Sequence, residues 1–309
     1  MVTIKRKRKG SGKSGITMKD DLRALLYLSP WVLGFLVFQF YPLIASLGYS
    51  FTNLNLMGTT RFIGFKNYIT MFTRDPDFYQ SLKVTAVYVL FSVPFKLIFA
   101  LFVAVLLNMK IRGVNFFRTI YYIPSILGGS VAVSILWRIL FAKDGIVNRA
   151  IAYLHIPAVD WLGSPNIAIY TLGLIIVWQF GSPMVLFLAG LKQIPSSFYE
   201  AALVDGASRP RMFFFITLPM LTPILFFNLI MQMISAFQEF TSAFVVTNGG
   251  PMKSTYLYGM KLYSEGFSHF NMGYASALSW VLFIIIFILT IVIFKTSNNW
   301  VYYEDGGNM

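Results

Sequence analysis

The sequence predicts an all-α, polytopic membrane protein with six transmembrane helices, and three observations lead to this prediction. Hydrophobic residues make up 57% of the 309 positions and charged residues only 12%, about half of what a soluble domain carries. The mean hydropathy is +0.66. Six apolar stretches are each long enough to cross a hydrocarbon core about 30 Å thick, which takes roughly 20 helical residues. The chain has too little polar material to cover a soluble protein of this size.

The six predicted spans follow one another along most of the chain. The first stretch runs well past the roughly 7–15 apolar residues of a signal peptide, so we interpret it as an anchor. The fifth is too long for one straight span, and Pro219 and Pro223 near its start predict a bend there. The spans lie near residues 24–50, 84–108, 117–141, 167–190, 213–246 and 274–294.

The basic residues predict the orientation of the chain. Eight of the 25 Lys and Arg residues fall in the first 23 positions, and six spans place both termini on one side. That side carries fifteen Lys and Arg residues, against eight on the other. The positive-inside rule therefore places both termini in the cytoplasm. The predicted domains are a basic cytoplasmic tail (1–23), a transmembrane domain (24–295) that includes a cytoplasmic loop (191–212), and a C-terminal tail (296–309).

The composition also restricts the chemistry of the chain. It has no cysteine and two isolated histidines, so we predict no metal site. The basic residues flank apolar runs instead of forming a groove-reading surface, which argues against nucleic acid as a partner. The segment "GSGKS" resembles the end of a phosphate-binding loop, but Lys7 stands where that motif requires glycine. We therefore expect no cofactor in this chain.

A compact charged segment, "SSFYEAALVDGASRPRMFFFITLP" (196–219), separates the fourth and fifth spans. Ser197 and Glu200 have the spacing of a capping box, which predicts a helix start. Gly206 predicts its end, because glycine readily takes the left-handed backbone conformation. Ser208 is placed to cap a second helix. The segment predicts a helix–turn–helix elbow that is either a connector between spans or a docking element for a cytoplasmic partner.

The elbow resembles the EAA signature of binding-protein-dependent ABC importer permeases, "EAA…G…I-LP". Further segments, from "GFKNY" (64–68) to "NMGYASALS" (271–279), are similar to the carbohydrate-type branch that includes the maltose and glycerol-phosphate permeases. The resemblance covers roughly residues 24–295 and implies the type I ABC importer permease fold. The positions that match the signature are Glu200, Ala201, Ala202, Gly206, Ile216, Leu218 and Pro219.

The resemblance implies a permease subunit of an ATP-driven importer for a sugar or oligosaccharide in a prokaryotic inner membrane. Such a subunit forms half of the pathway. It implies a second permease subunit in a heterodimer, two ABC ATPase subunits that bind ATP and Mg²⁺, and an extracytoplasmic solute-binding protein, all within or beside membrane lipid. The elbow would be the coupling helix. Its implied ATPase-docking residues are Phe198, Glu200, Ala201, Ala202, Leu203, Asp205, Gly206 and Ala207.

Polar residues within the apolar stretches form the candidate substrate pathway. Four of them in span five, spaced 4, 3 and 4 apart, would share one helix face. A carboxylate at mid-span costs about 2.5 kcal/mol or more, so Glu239 should face water, a partner or substrate. Two alternatives stay open: such residues also join transmembrane helices, and Glu239 could pair with Arg138. The candidates are Trp178, Gln179 and Ser182 in span four, and Asn228, Gln232, Ser235 and Glu239 in span five.

Other functions compete with this one. An ABC permease could carry another polar solute, such as a sugar phosphate or a polyol. An ion-driven secondary transporter would show inverted repeats and several intramembrane acids, and the sequence has no clear repeat. A membrane enzyme would need a catalytic cluster, and none is evident. We expect a transport subunit that is not itself an enzyme, with ATP hydrolysed by separate subunits.

Overall fold

The computed structural model describes residues 18–55, 58, 60–109 and 113–302, with side chains from residue 26 onward. Most of the predicted N-terminal tail and the end of the C-terminal tail therefore lie outside the described residues. The described chain forms sixteen α-helices: α1 Met18–Phe35, α2 Tyr41–Ser50, α3 Lys66–Arg74, α4 Pro76–Asn108, α5 Val114–Leu127, α6 Val131–Leu140, α7 Ile146–Ala152, α8 Ala168–Trp178, α9 Gly181–Leu191, α10 Ser196–Val204, α11 Arg209–Met212, α12 Leu218–Met220, α13 Thr222–Phe237, α14 Thr241–Val246, α15 Tyr258–Tyr263 and α16 Met272–Ser297.

Three π-helical segments continue the helices around them, at Leu36–Phe40, Phe213–Thr217 and Ser264–Ser268. The first joins α1 to α2, so that an apolar helical stretch runs from residue 26 to residue 50. In the described part of the chain, β-structure is limited to one isolated antiparallel bridge between Thr52 and Phe62. The predicted all-α class is confirmed.

Six helical units are long and apolar enough to cross a membrane when each bent pair is counted as one. Three are uninterrupted: Leu26–Ser50, Pro76–Asn108 and Met272–Ser297. The others are bent pairs, α5 with α6 at 104°, α8 with α9 at 47°, and residues 209–220 with α13 at 63°. All six predicted apolar stretches overlap these units. The predicted bend in the fifth stretch is confirmed and lies at Leu221, between the two prolines.

The long helix α4 forms the centre of the structure, because α8, α9, α13 and α15 all pack against it. At about 1.5 Å per residue it is roughly 50 Å long, longer than a hydrocarbon core of about 30 Å. Small residues on its buried faces, including Ser81, Ser92, Ala100 and Ala104, let neighbouring helices approach closely. The hydroxyl groups of both serines donate to carbonyl oxygens of α4 itself, so neither is left unsatisfied.

Large apolar side chains cover much of the outer surface. Leu90 is 74% exposed, Phe38 is 79% exposed, and the apolar window of the first span has no buried residue. Such a surface would be unfavourable in water and is favourable against lipid or an apolar partner.

A buried ion pair lies at the end of the molecule where α4 begins. Lys261 Nζ lies 2.7 Å from Asp75 Oδ2, with side-chain exposures of 3% and 14%. Asp75 also accepts hydrogen bonds from Tyr274 and from the backbone N–H of Phe78, which caps α4. Burial raises the pKa of the Asp75 carboxyl, but the bonds from Lys261 and Tyr274 outweigh it and hold the pKa below its usual value. The pair therefore stabilises the fold at neutral pH, and this contribution is lost as the pH falls through the lowered pKa.

Replacing Asp75 should expose how much this ion pair contributes. Asp75→Asn removes the nearer counter-charge of buried Lys261 and leaves the Glu265 carboxylate 3.5 Å from its Nζ, and we expect a loss of about 2 kcal/mol, seen as a lower thermal unfolding midpoint in detergent. Asp77→Asn is the matched control, because its partner Lys253 is 54% exposed and such pairs contribute at most about 1 kcal/mol. Equal midpoints for the two variants would contradict the account.

Candidate functional site

The charged segment between α9 and α12 folds into the predicted elbow. Helix α10 ends at Val204, and Gly206 adopts the left-handed conformation with φ +73°. The backbone N–H of Ala207 donates to the carbonyl of Ala202 at 2.8 Å, and that of Gly206 donates to the carbonyl of Leu203 at 3.1 Å. This pair of bonds is the Schellman motif. The predicted helix end at glycine is confirmed.

The predicted caps of the elbow are wrong in detail. Pro195 is the N-cap of α10 with φ −60° and ψ 136°, and no side chain caps the helix. The helix begins two residues earlier than a Ser197 cap requires, so Ser197 lies inside the first turn and cannot form the capping box with Glu200. Ser208 does occupy the N-cap position of α11, but its side chain makes no capping bond.

Helix α10 presents its apolar side chains to the outside. No residue of α10 is buried, and Leu203 and Val204 are 60% and 89% exposed. Phe198 is 44% exposed, and Glu200 is exposed as well. In the inner angle of the elbow lies a cavity of about 260 Å³, lined by Ala202, Asp205, Ala207, Arg211, Met212, Phe215 and Ile216. Six of the eight predicted docking residues are therefore exposed, and the other two, Ala202 and Ala207, are half-buried beside this cavity.

The predicted residues of span four lie at the break between α8 and α9. Trp178 ends α8, Gln179 lies in the break, and Ser182 lies in the first turn of α9. The hydroxyl of Ser125, from α5, donates to the Gln179 carbonyl at 3.0 Å and accepts from the Ser182 N–H at 2.9 Å. One hydroxyl thus satisfies backbone groups on both sides of the break.

Two glycines let this break meet the break between α5 and α6. A Cβ on Gly181 would lie 2.6 Å from the Tyr121 carbonyl oxygen and 2.8 Å from the Tyr122 Cα. A Cβ on Gly128 would lie 2.4 Å from Cδ of the Gln179 side chain. The two broken spans therefore interlock at one level, and Gln179 extends across Gly128.

Trp178 joins this junction to an aromatic cluster. Its ring lies 6.1 Å from that of Trp137, which contacts Phe141 at 4.9 Å. Trp178 also lines a mainly apolar cavity of about 690 Å³, together with Phe180 and Tyr121. Aromatic faces beside a free amide suit a ligand that has both apolar faces and hydroxyl groups.

Only part of the predicted polar face of span five lies on a helix. Helix α13 ends at Phe237, so Glu239 lies beyond it and does not share its face. Asn228 is 1% exposed and donates to the Ile224 carbonyl within α13, whereas Gln232 is half-buried and Ser235 is exposed. The spacing of 4, 3 and 4 in the sequence does not show at which residue the helix ends.

Glu239 caps the short helix α14. Its Oε1 accepts hydrogen bonds from the N–H and the hydroxyl of Ser242, at 2.9 and 2.7 Å. The described residues contain no ion pair between Glu239 and Arg138, and Arg138 is exposed. Lys96 of α4 interacts electrostatically with Glu239.

Lys96 was missed by the sequence reasoning. It lies within the longest apolar helix and is 7% exposed. A buried ammonium group at membrane depth is expensive and usually functional. In the sequence, Lys96 is the single cation between positions 84 and 108. Because one charge does not prevent an apolar stretch from being predicted as a span, Lys96 was not singled out.

Comparison with known proteins shows the family. Residues 78–302 match the family described as "Binding-protein-dependent transport system inner membrane component". The chain belongs to this family. It is 50% identical to the probable ABC transporter permease protein YesP of Bacillus subtilis, over 95% of this chain and 96% of that one. It is 32% identical to the multiple sugar-binding transport system permease protein MsmF of Streptococcus mutans, over 84% and 90%.

A solved structure shows the same fold. A chain in the crystal structure of a bacterial alginate ABC transporter, in complex with an alginate pentasaccharide-bound periplasmic protein, superposes with a TM-score of 0.77. The match covers 91% of this chain and 96% of that chain, at 21% identity. The predicted polytopic permease fold is confirmed, and the chain is a membrane-embedded transport subunit of an ABC transporter.

The interlocked breaks make a specific stability prediction. Gly181→Ala forces a Cβ against backbone atoms of α5 that cannot shift cheaply, and we expect a loss of about 1–3 kcal/mol, measured as a lower thermal unfolding midpoint in detergent. Gly48→Ala is the matched control, since nothing lies within 4 Å of the added Cβ and alanine favours the helix. A Gly181→Ala variant as stable as the control would show that α5 and α9 do not approach this closely.

Proposed function

We propose that this permease forms half of the transmembrane pathway of an ATP-driven saccharide importer and couples to the ATPase through its elbow. The observation that carries the proposal is the elbow itself. An exposed apolar helix, α10, ends in a left-handed glycine and connects directly to the bent span that contains α13. An exposed apolar surface of this kind on a membrane subunit suits a protein partner.

The proposed assembly distributes the chemistry among several proteins. Two ABC ATPase subunits bind ATP and Mg²⁺, and this chain binds neither. A second, different permease subunit supplies the other half of the pathway. An extracytoplasmic solute-binding protein delivers the substrate. Family membership supports an assembly of this type, because the family is named for its dependence on binding proteins.

The proposed orientation places the elbow and both termini in the cytoplasm. Lys192, Arg209 and Arg211 are all exposed near the elbow, as expected for cytoplasmic basic residues beside anionic lipid headgroups. The buried Asp75–Lys261 pair would then lie at the extracytoplasmic end of α4. Leu101, Phe102 and Val105, near the other end of α4, line a groove with Phe213 and Phe214 just after the elbow, which supports this assignment of ends.

The proposed substrate is a saccharide, and the proposed pathway passes the interlocked breaks. Discontinuous helices commonly form transporter substrate sites near the membrane midplane. Gln179 and Ser182 can exchange hydrogen bonds with sugar hydroxyls, and Trp178 can stack on a pyranose ring. Gln232 and Ser235 remain candidates on α13, with Asn228 and Glu239 as supporting residues. The name of MsmF, a multiple sugar-binding transport system permease, agrees with this class of substrate.

Uptake assays with glycine variants test the proposal. Gly206→Val places a β-branched residue in the left-handed region and should reshape the elbow, so ATP-dependent uptake of a radiolabelled mono- and oligosaccharide panel should fall at least about tenfold. Membrane levels should be unchanged. Gly64→Val is the matched control, with φ +59° and equally open surroundings, at the opposite end of the molecule. Equal loss of uptake in both variants would contradict docking through the elbow.

A further inference from the structure

In the described part of the chain, one side-chain hydrogen bond joins helix α10 to another element. The hydroxyl of Tyr199 lies 2.8 Å from Thr217 Oγ1. Among the described residues, this is the bond that joins a side chain of α10 to another element. Tyr199 is half-buried and Thr217 is 6% exposed, whereas every other residue of α10 except half-buried Ala202 is exposed. Through this bond, helix α10 is attached to the beginning of span five.

Thr217 lies shortly before the bend in span five. It is the last residue of the π-helical segment Phe213–Thr217, and such segments are often found at functional sites. Four residues later, at buried Leu221, the chain bends by 63° into α13. A displacement of α10 therefore acts on the part of span five that precedes the bend.

The part of span five that follows the bend contacts α16 and Tyr302. Thr222 Oγ1 accepts from the backbone N–H of Tyr302 at 2.8 Å and donates to the Pro219 carbonyl. Phe226 of α13 packs edge-on against Phe294 of α16, with ring centroids 4.9 Å apart. The segment before the bend is thus attached to the elbow, and α13 is attached to the last span.

We infer that Tyr199 is a positioning residue that transmits movement of the elbow to span five through its hydrogen bond to Thr217. The inference rests on the proposed function, because it takes the ATPase to be what moves α10. Among the described residues, the Thr217 hydroxyl has one further hydrogen bond, at 3.5 Å to the Met212 carbonyl, which lies on its own helix. Without the Tyr199 hydroxyl, α10 can still bind the ATPase and can still move. It then lacks the side-chain hydrogen bond to the segment before the bend.

The experiment follows two movements in one complex. The chain has no cysteine, so spin labels can be placed at will. Ser196→Cys on α10 and Phe227→Cys on α13 are each paired with Leu90→Cys on α4, and distances are measured in the transporter complex purified with its ATPase. The trapped state is produced with ATP, Mg²⁺ and vanadate. In the unaltered background both distances should change on trapping.

Tyr199→Phe removes only the hydroxyl. We expect the α10 distance change to persist and the α13 distance change to shrink at least twofold. Thr217→Val should give the same result, and Thr217→Ser, which keeps a hydroxyl, should restore the movement. Tyr302→Phe is the matched control, because Tyr302 is bound through its backbone N–H and not through its hydroxyl. A purely structural role for Tyr199 would reduce both distance changes together.

Two further results would overturn the inference, and they are distinguishable. An undiminished α13 change in Tyr199→Phe, with normal movement of α10, would show that the hydrogen bond transmits nothing. An elbow that does not move on trapping in the unaltered complex would contradict the proposed function itself, and with it this inference.

Discussion

Lipid offers no hydrogen bonds to a peptide group, so every interruption of a membrane helix must be satisfied by the protein itself. This constraint governs all three bent pairs, and each has a hydroxyl at its break. Ser130 caps α6 by accepting from the Val133 N–H. Ser125 bridges both sides of the break between α8 and α9. Thr222 bonds to the Pro219 carbonyl at the bend of span five. These side chains allow non-helical backbone at depths where it would otherwise be prohibitive.

The breaks and the elbow divide the molecule into parts with different tasks. Helix α4 is a continuous central support with neighbours on several sides. The interlocked breaks, fixed by Gly128 and Gly181, leave Gln179 and Trp178 at a junction of two spans. The elbow depends on Gly206, whose left-handed conformation turns the chain from α10 toward α11. Span five connects these regions, because its bend lies between the elbow and the polar side chains of α13.

Much of this organisation could be predicted from the sequence, since span length and glycine conformation are local properties. The six apolar stretches and the helix end at Gly206 required no tertiary information. The capping box failed because Pro195 fixed an earlier helix start. The helical stripe failed at Glu239, where the chain leaves α13 and the carboxylate caps α14 instead. The Ser125 bridge and the electrostatic interaction between Lys96 and Glu239 each join segments that are far apart in the sequence, which no local pattern encodes.

The central claim is that the exposed face of α10 binds an ATPase subunit, and site-specific cross-linking tests it most directly. A photoreactive maleimide placed on Leu203→Cys or Val204→Cys, in a chain with no other cysteine, should yield an adduct with the co-purified ATPase. The same probe on Tyr153→Cys, which is 86% exposed just after α7, should yield none. Equal adducts at all three positions, or none at Leu203 and Val204, would contradict the claim.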